Sequence, residues 1–477
     1  MKLLHKEGIF VKQQHTVLLL LTLGLGAVIG TLNITMFNVA LPIMMTYFDA
    51  PLAKVQWLTS GYMLAAGMII PAAGFLGDRL GYKRIFCFAL GCVWLLSVVG
   101  ALAWRIEILI VARFFLGLTG GLLSPLSLAM LYQALPASQQ TKAASTWGMA
   151  NMIGGMLPSV LSGIILSVAD WRFLLLFNIP FVVLALFLTL KLLPKDTIRS
   201  NARLDFPGLA LTSMGSLILL FTFSHLSSWG LSLKLLLGML LGLAGLAAYI
   251  IRSHNRSDTL LNLRVLKFRR YIAALVAGGM NSIALYMITF LMPLFLQSGL
   301  GVSPLATGMI MLPTSFIAII IMPIATAFYP KLGEKNLMVL GIIVLLIGSA
   351  PFLTAVPSTP ILFIILAMCV RACGMGAINL VSTNAQMSSV PPELAGHASS
   401  LTNWFQQMLN ALIVGIAGNI ADLRIAAVTD SSPESLAFAY TSTTNLMMTV
   451  SCLLLIAVIP IALKFFRSKT EMKKNAP

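Results

Sequence analysis

Apolar runs of about 20 residues recur along the whole sequence, separated by short polar segments. A run of this length crosses a hydrocarbon core of roughly 30 Å as an α-helix. Lipid offers the backbone no hydrogen-bond partner, so helices are expected, and the alternating ten-residue segments of a membrane β-barrel are absent from the sequence. The pattern predicts an all-α polytopic membrane protein with 14 spans.

The predicted spans are numbered in chain order, each end being set by the hydropathy of its window. They are Thr16–Leu41, Val55–Leu76, Ile85–Ala103, Ile108–Leu131, Ala143–Val168, Phe173–Leu193, Phe206–Leu226, Leu231–Ile251, Tyr271–Gln297, Pro304–Phe328, Leu337–Thr354, Ile361–Met387, Ala395–Ala421 and Phe438–Phe466.

Basic residues give an orientation. With the N-terminus inside, the inside segments hold about 24 of the 31 Lys and Arg. The outside loops hold Lys54, Arg105, Arg172 and Arg424. Cytoplasmic loops of membrane proteins carry this excess of basic residues, so both termini are predicted to be cytoplasmic.

Composition agrees with the hydropathy pattern. The chain is 58% hydrophobic and 9% charged, whereas a soluble domain carries roughly 25% charged residues. The net charge of +17 lies in short stretches between apolar runs, so no nucleic-acid partner is predicted. The five cysteines lie within predicted spans without a metal-like grouping with histidine, so no metal and no cofactor are predicted.

The two halves of the chain echo each other. Span 4 carries Arg113–Gly117 (RFFLG), span 12 carries Arg371–Gly374 (RACG), and Trp147 and Trp404 follow at matching positions. Chance echoes are common in apolar helices, but two arginines at equivalent depth favour an internal repeat, which is typical of transporters. The predicted division is a six-helix bundle at 1–193, two inserted helices with a basic cytoplasmic loop at 194–270, and a second six-helix bundle at 271–477.

The segment from 74 to 84 (GFLGDRLGYKR) resembles the loop between spans 2 and 3 of the major facilitator superfamily. A faded copy (KLGEKN) stands at 331–336. Asp78 is expected to cap a helix N-terminus and to pair with a basic residue on a neighbouring helix, forming a latch at the inner gate. The residues assigned to this conformational role are Gly74, Gly77, Asp78, Arg79, Gly81, Lys83 and Arg84.

Further segments resemble the fourteen-helix drug:proton antiporters of that superfamily: 33–42 (NITMFNVALP), 204–208 (LDFPG) and 291–297 (LMPLFLQ). The resemblance implies two six-helix bundles around a central cavity, with two extra helices between them. It also implies a monomer in the bacterial plasma (inner) membrane that is surrounded by lipid. Its partners would be a small-molecule substrate, often a cationic amphipathic drug, and protons.

Two departures bear on function. Asn33 stands where that family usually has Asp, and none of the 14 acidic residues lies deep inside a predicted span. A proton-coupled exporter of cations needs a buried carboxylate, so the residue that carries the proton is left open. The antiporter motif of span 5 is also incomplete, because Leu161 and Ser162 replace paired glycines. Its remaining residues are Gly154, Gly155, Pro158 and Gly163.

Arg113 and Arg371 are the two deep charges, and both are candidates for transport or coupling. They predict a neutral to positive cavity, which suits anionic, zwitterionic or neutral solutes as well as cations. Backbone carbonyls could instead hold both as structural residues. Candidate cavity residues, each of which could alternatively make interhelical hydrogen bonds, are Asn33, Thr35, Phe37, Asn38, Trp147, Asn151, Asn281, Tyr286, Gln297, Trp404 and Gln407.

Three functions follow from these features. The first is proton-coupled export of amphipathic drugs or toxic compounds by alternating access. The second is transport of one defined metabolite or an anionic or neutral lipid-like solute, with coupling that does not use a first-span carboxylate. The third, a membrane sensor or enzyme, is disfavoured because the sequence contains no catalytic cluster and no loop long enough to fold as a domain.

Overall fold

The computed structural model describes residues 2–134, 147, 154–155, 157–193, 205–230, 232–254, 263–391, 394–427 and 433–467. Within these ranges all regular elements are helical, which confirms the all-α prediction. The helices of the first half are α1 (Lys2–Thr35), α2 (Leu41–Phe48), α3 (Leu52–Val55), α4 (Trp57–Ile69), α5 (Ala73–Leu80), α6 (Tyr82–Ala101), α7 (Ile106–Ala134), α8 (Pro158–Val168), α9 (Phe173–Leu176) and α10 (Asn178–Leu192).

The second half continues the same architecture after two central helices. The central helices are α11 (Phe206–Ser224) and α13 (Leu233–His254), with the short α12 (Leu226–Trp229) between them. The helices of the second half are α14 (Arg269–Leu294), α15 (Pro304–Ser349), α16 (Ile361–Ser388), α17 (Ala395–Ala426) and α18 (Pro433–Phe465). Short 3-10 turns lie at Met36–Ala40, Ile70–Ala72, Leu263–Lys267 and Ala350–Phe352, and a π-turn lies at Phe295–Gly299.

Eleven helical runs in the described part of the chain are long and apolar enough to cross a membrane. Two more apolar helices, Pro158–Val168 and Pro207–Phe223, are shorter. The longest run, Pro304–Phe352, has 49 residues, which at 1.5 Å per residue is roughly 70 Å and more than twice a hydrocarbon core. Gly333 interrupts this run with φ 79° and ψ 167°, so α15 is two helices joined at a kink.

The two copies of the loop motif share a backbone feature. Gly81 has φ 97° and Gly333 has φ 79°, and they occupy the same place in Arg79–Arg84 and Lys331–Asn336. Positive φ is accessible to glycine because it has no Cβ. This match of conformation supports the internal repeat that the sequence predicted.

The outside of the molecule is apolar. On α13, Leu240 is 54% exposed and Ile251 is 73% exposed, and large hydrophobic side chains are exposed on the other helices too. A continuous apolar surface of this kind is unfavourable in water and is solvated by lipid tails. The structure therefore has the surface of a multi-pass membrane protein.

The two central helices pack on each other through glycines. An ideal Cβ on Gly215 of α11 would lie 3.0 Å from the carbonyl oxygen of Gly242 on α13, so larger residues would separate the pair. Asp205 accepts from the backbone N–H of Gly208 at 3.1 Å and pairs with Arg252 at 3.0 Å, which ties the start of α11 to the end of α13. Helix α11 also contacts α4 and α17. The pair α11 and α13 therefore lies beside the contact between α4 and α17.

Candidate transport cavity

A cavity of about 310 Å³ lies between the two halves of the molecule. Helix α1 and the Gly155–Ser159 region contribute from the first half, and α14, α15 and α16 contribute from the second. Its lining residues are Thr31, Ile34, Thr35, Gly155, Ser159, Leu285, Tyr286, Ile288, Thr289, Met311, Thr314, Ser315, Ala318, Met368, Arg371, Met375 and Asn379. Its volume is at the lower end of the range for small-molecule sites.

Polar and apolar groups share the lining. Arg371 is the charged residue among the described residues that line it, and the hydroxyls of Thr35 and Thr314 have no hydrogen-bond partner within the described chain. Met368 and Met375 lie on the same helix as Arg371, and their thioethers adapt to ligands of different shape. The cavity therefore suits an amphipathic ligand.

Arg371 is held by its own half of the molecule. Its Nη2 donates to the carbonyl oxygen of Ala284 on α14 at 2.9 Å, and its Nη1 donates to the hydroxyl of Ser349 on α15. The side chain is 1% exposed, and its Nε has no partner within the described chain. One N–H of a fixed guanidinium is thus left without an acceptor beside the cavity.

Arg113 lies behind the cavity rather than in its lining. Its Nε donates to the carbonyl oxygen of Leu58 at 2.9 Å, and its Nη2 donates to that of Asn33 at 2.8 Å. The guanidinium carbon lies 4.3 Å from the ring centre of Phe37 and 4.5 Å from that of Tyr62. These contacts join α1, α4 and α7, and the arginine is fully buried. Of the two deep arginines that the sequence singled out, the structure brings Arg371 to the cavity.

The amides of span 1 make contacts outside the cavity. Asn33 accepts from the Nδ2 of Asn178 at 3.1 Å and donates to the carbonyl oxygen of Ile29 at 3.0 Å. Asn38 accepts from the hydroxyl of Thr59 at 2.9 Å and donates to the carbonyl oxygen of Thr289 at 3.3 Å. The first set ties α1 to α10, and the second ties the first half of the molecule to α14.

The two halves are joined at one end, called here the joined end. The carboxylate of Asp422 on α17 accepts from the backbone N–H of Ala53, at the start of α3. A carboxylate at a helix N-terminus is favoured because it satisfies a free N–H and faces the positive end of the helix dipole. Gln297 donates to the carbonyl oxygen of Val39 at 2.8 Å, which adds a second polar contact between the halves.

Glycines allow helices of the two halves to pack closely at the joined end. A Cβ on Gly163 of α8 would lie 2.6 Å from the carbonyl oxygen of Pro304, and a Cβ on Gly308 would lie 3.0 Å from that of Ser159. Helices α8 and α15 therefore approach each other through residues without side chains. Gly154 packs on α1 near Thr31, whereas Gly155 faces the cavity.

At the opposite end, called the loop end, α5 packs on α6 and α7 of its own half, and a Cβ on Gly74 would meet nothing within 4 Å. Asp78 accepts from the hydroxyl of Tyr82 at 3.1 Å and makes no ion pair with a described residue. In this conformation the residue at the N-terminal cap of α6 is Gly81 rather than Asp78, and the ring of Tyr82 packs on Gly77. The conformational role of Asp78 stays a prediction.

Basic residues of this loop have different roles. Lys83 donates to the carbonyl oxygens of Leu190 and Leu193 at 3.0 and 2.6 Å, so it caps the C-terminal end of α10. Arg79 lies 5.9 Å from the ring centre of Phe75. The loop is thereby attached to the first half of the molecule.

The sequence analysis missed Glu334, which is 3% exposed. Its carboxylate accepts from Arg270 at 2.5 and 2.6 Å and from the hydroxyl of Tyr329 at 2.8 Å. It also accepts from the backbone N–H of Arg467 at 3.2 Å. Glu334 thus joins α14, both parts of α15 and the end of α18. The faded loop copy at 331–336 was the signal that could have located it.

The remaining candidates lie elsewhere. Asn281 donates to the carbonyl oxygen of Met375 at 3.4 Å, and Trp147 donates to the hydroxyl of Ser127 at 2.8 Å. Trp404 lines a second, almost wholly apolar cavity of about 160 Å³ between α4, α11, α13 and α17. Gln407 packs on Gly67 where α17 meets α4. Asn151 lies outside the described residues. Thr35 and Tyr286 are the candidate cavity residues that the structure places in the lining.

Comparison with known sequences decides the family. The profile of the Major Facilitator Superfamily matches residues 23–414. This chain belongs to the Major Facilitator Superfamily. The proteins compared below include several named as transporters, so this Major Facilitator Superfamily chain is assigned as a transporter and not as an enzyme.

Several relatives match most of the chain. The putative multidrug resistance protein MdtD of Serratia proteamaculans is 28% identical over 457 residues, covering 94% of this chain and 93% of the relative. The uncharacterized MFS-type transporter YhcA of Bacillus subtilis is 27% identical over 442 residues, covering 91% and 83%. The multidrug resistance protein B homolog of Mycobacterium tuberculosis is 28% identical, covering 80% and 72%.

Solved structures of other transporters share the fold. The D-xylose–proton symporter superposes with a TM-score of 0.67 at 16% sequence identity, over 96% of this chain and 98% of that chain. A bacterial homolog of the human lysosomal transporter Spinster gives a TM-score of 0.65 at 14% identity, over 97% and 99%. The Major Facilitator fold predicted from the loop motif is therefore confirmed.

Proposed function

We propose that this chain exports amphipathic drugs or toxic compounds by alternating access, driven by protons. The observation that carries the proposal is a ligand-sized cavity lined by both halves of the molecule, which are bonded to each other at one end. Relatives named as multidrug resistance proteins, at 26–28% identity, support drugs as the substrate class.

The proposal includes the topology that the sequence predicted. The 11 long apolar helical runs become 12 when the break at Gly333 is counted, and the two shorter apolar helices bring the number to 14. With an even number of crossings and the observed distribution of basic residues, both termini face the cytoplasm of a bacterial inner membrane. The chain would act as a monomer of two bundles, 1–193 and 271–477, with helices inserted between them from 194–270.

Alternating access would break the joined end and close the loop end. The polar contacts to be broken include those of Asp422 with Ala53 and of Gln297 with Val39. Interhelical hydrogen bonds in membranes contribute about 0.6–1.7 kcal/mol each. A few such bonds therefore favour one conformation but can still break during the transport cycle. Gly81, with φ 97°, fixes the tight turn that joins α5 and α6 and would carry them as one rigid body.

The proton carrier would be a carboxylate outside the cavity lining. Asp205, Glu334 and Asp422 are the half-buried or buried acids described above, and each bonds to a second helix or to the opposite half. A carboxylate whose partners separate during the transport cycle changes its proton affinity between the two states. Asp422 fits this role because its acceptor bond spans the two halves.

The test is export of dyes from a drug-sensitive bacterial host. Cells that produce the protein should accumulate less dye than cells that lack it, and collapse of the proton gradient should remove the difference. Purified protein in liposomes should acidify or alkalinise the lumen when substrate is added. Unchanged accumulation of cationic, neutral and anionic dyes would refute the proposal.

A matched pair of variants tests alternating access itself. Gly163→Leu places a side chain where a Cβ already lies 2.6 Å from a backbone oxygen, so the joined end cannot close and export should stop. Gly91→Leu adds the same side chain where nothing lies within 4 Å, and export should continue. Both proteins should be compared at equal membrane abundance. Full export by Gly163→Leu would exclude closure at this end as a step of transport.

The second candidate is a carrier of one defined anionic or neutral solute. The charge of Arg371 in the cavity lining favours it. A broad dye panel distinguishes the two functions, since a specific carrier would export few or none of the dyes. In liposomes, unlabelled substrate should compete with transport of its labelled form, whereas unrelated drugs should leave that transport unchanged.

A further inference from the structure

We propose that the central cavity binds an amphipathic organic anion, whose carboxylate or sulfonate lies at Arg371 and whose rings lie against the apolar part of the lining. The proposal rests on the proposed function and narrows its substrate class. It also reverses the charge that the resemblance to drug:proton antiporters led us to expect.

The first argument is the charge of the cavity. The sequence contains no Asp or Glu at 8–48, 108–169, 259–333 or 335–392, and these ranges contain every segment that lines the cavity. Residues of span 5 that lie outside the described ranges are therefore also excluded as a source of carboxylate. Arg371 has no acidic partner in the lining, so its positive charge is not neutralised from within the site.

The second argument is the geometry of Arg371. Two of its nitrogens are fixed on Ala284 and Ser349, and the Nε–H has no acceptor. The same lining includes Thr35 and Thr314, whose hydroxyls have no partner within the described chain. An anionic oxygen would accept from these donors, whereas a cation would add a second positive charge.

The third argument is the remainder of the lining. Tyr286 and the methionines Met311, Met368 and Met375 present an aromatic face and polarizable thioethers. The volume of about 310 Å³ suits a compact ring system rather than a long chain. The charge of Arg371, together with the aromatic and thioether groups elsewhere in the lining, suits an amphipathic, planar anion.

The experiment compares two dyes with the same xanthene core, fluorescein as the anion and rhodamine 123 as the cation. Binding to the purified full chain in lipid nanodiscs is measured by fluorescence anisotropy. At separations near 6 Å inside a protein, one unit charge changes binding by roughly tenfold or more. Fluorescein should therefore bind at least roughly tenfold more tightly than rhodamine 123.

A charge variant tests the site without removing the bonds of Arg371. Asn379→Asp has nearly the same shape and puts a carboxylate into the lining. It should weaken fluorescein binding by roughly tenfold and strengthen rhodamine 123 binding. The matched control is Asn403→Asp, an exposed position on α17 outside the cavity, where both affinities should stay within about threefold of the unmodified protein.

Equal affinities, tighter binding of rhodamine 123, or binding of neither dye would each overturn the anion proposal. A response of Asn403→Asp equal to that of Asn379→Asp would also overturn it. Export of both dyes from cells is measured in parallel. If rhodamine 123 alone is exported, drug export stands and the anion proposal fails. If neither these dyes nor any other compound is exported, the proposed function fails as well.

Discussion

Substitution of Arg113 by lysine tests the inference that this arginine is structural. The guanidinium donates to carbonyl oxygens of two helices, at 2.9 and 2.8 Å, and lies between two aromatic rings. Lysine keeps the charge but loses the planar fork, because an ammonium is a compact and strongly hydrated point charge. We therefore expect lysine to lose one hydrogen bond and most of the ring stacking.

The magnitude follows from these contacts. An interhelical hydrogen bond in a membrane protein contributes about 0.6–1.7 kcal/mol, and a desolvated cation–π contact contributes about 2 kcal/mol. We expect Arg113→Lys to lower the free energy of unfolding by about 2–4 kcal/mol. Unfolding of the purified protein by increasing fractions of SDS in mixed micelles measures this difference.

Arg105→Lys is the matched control. Arg105 has a side chain that is 71% exposed and lies 3.6 Å from Glu107, so the same substitution there should change stability by less than about 0.5 kcal/mol. If Arg113→Lys also stayed within about 0.5 kcal/mol of the unmodified protein, the carbonyl and ring contacts of Arg113 would not stabilise the fold. A stable Arg113→Lys protein with no transport would instead assign Arg113 to coupling.

Three further substitutions have defined outcomes. Gly81→Ala, at φ 97°, should cost about 1–2 kcal/mol of unfolding free energy in the same titration, because a Cβ is strained there. Glu334→Gln should cost about 3–5 kcal/mol, because Arg270 loses the carboxylate that it contacts twice; a cost below about 1 kcal/mol would show that the pair is dispensable. Asp422→Asn should weaken the joined end by about 1 kcal/mol, since it removes a charge from a helix N-terminus. Spin labels on α3 and α17 should then report a separated population about fivefold larger; an unchanged distance distribution would show that Asp422 does not hold the joined end together.

Hydropathy was enough to predict the helices. The predicted span Phe206–Leu226 corresponds to Phe206–Ser224, and Ile361–Met387 corresponds to Ile361–Ser388. Agreement within a few residues follows because the hydrocarbon core sets both the length and the polarity of each helix. The sequence alone therefore determined the class of protein, and the loop motif determined the superfamily.

The shared backbone turn of the two loop copies was also readable from the sequence. Gly81 and Gly333 keep the same left-handed backbone although the residues around them differ. A turn that requires positive φ favours glycine at that position, whatever its neighbours are. The glycine therefore remains recognisable in the sequence even where the surrounding residues differ. The loop copy at 331–336 indicated where Glu334 lies in the chain, but its burial could not be predicted locally, because its partners include Arg270 on α14 and Arg467 after α18.

Which polar residues face the cavity was decided by tertiary structure. Arg113 and Arg371 looked equivalent in the sequence, yet Arg371 lies in the lining and Arg113 lies behind α1 against two rings. Hydropathy gives the depth of a residue in the membrane, but the direction in which it points depends on how each helix packs against its neighbours. That packing is set by close contacts such as Gly163 with Pro304, between residues far apart in the chain. The sequence thus determined that two arginines lie deep among apolar helices, and the packing of those helices decided that Arg371 lines the cavity.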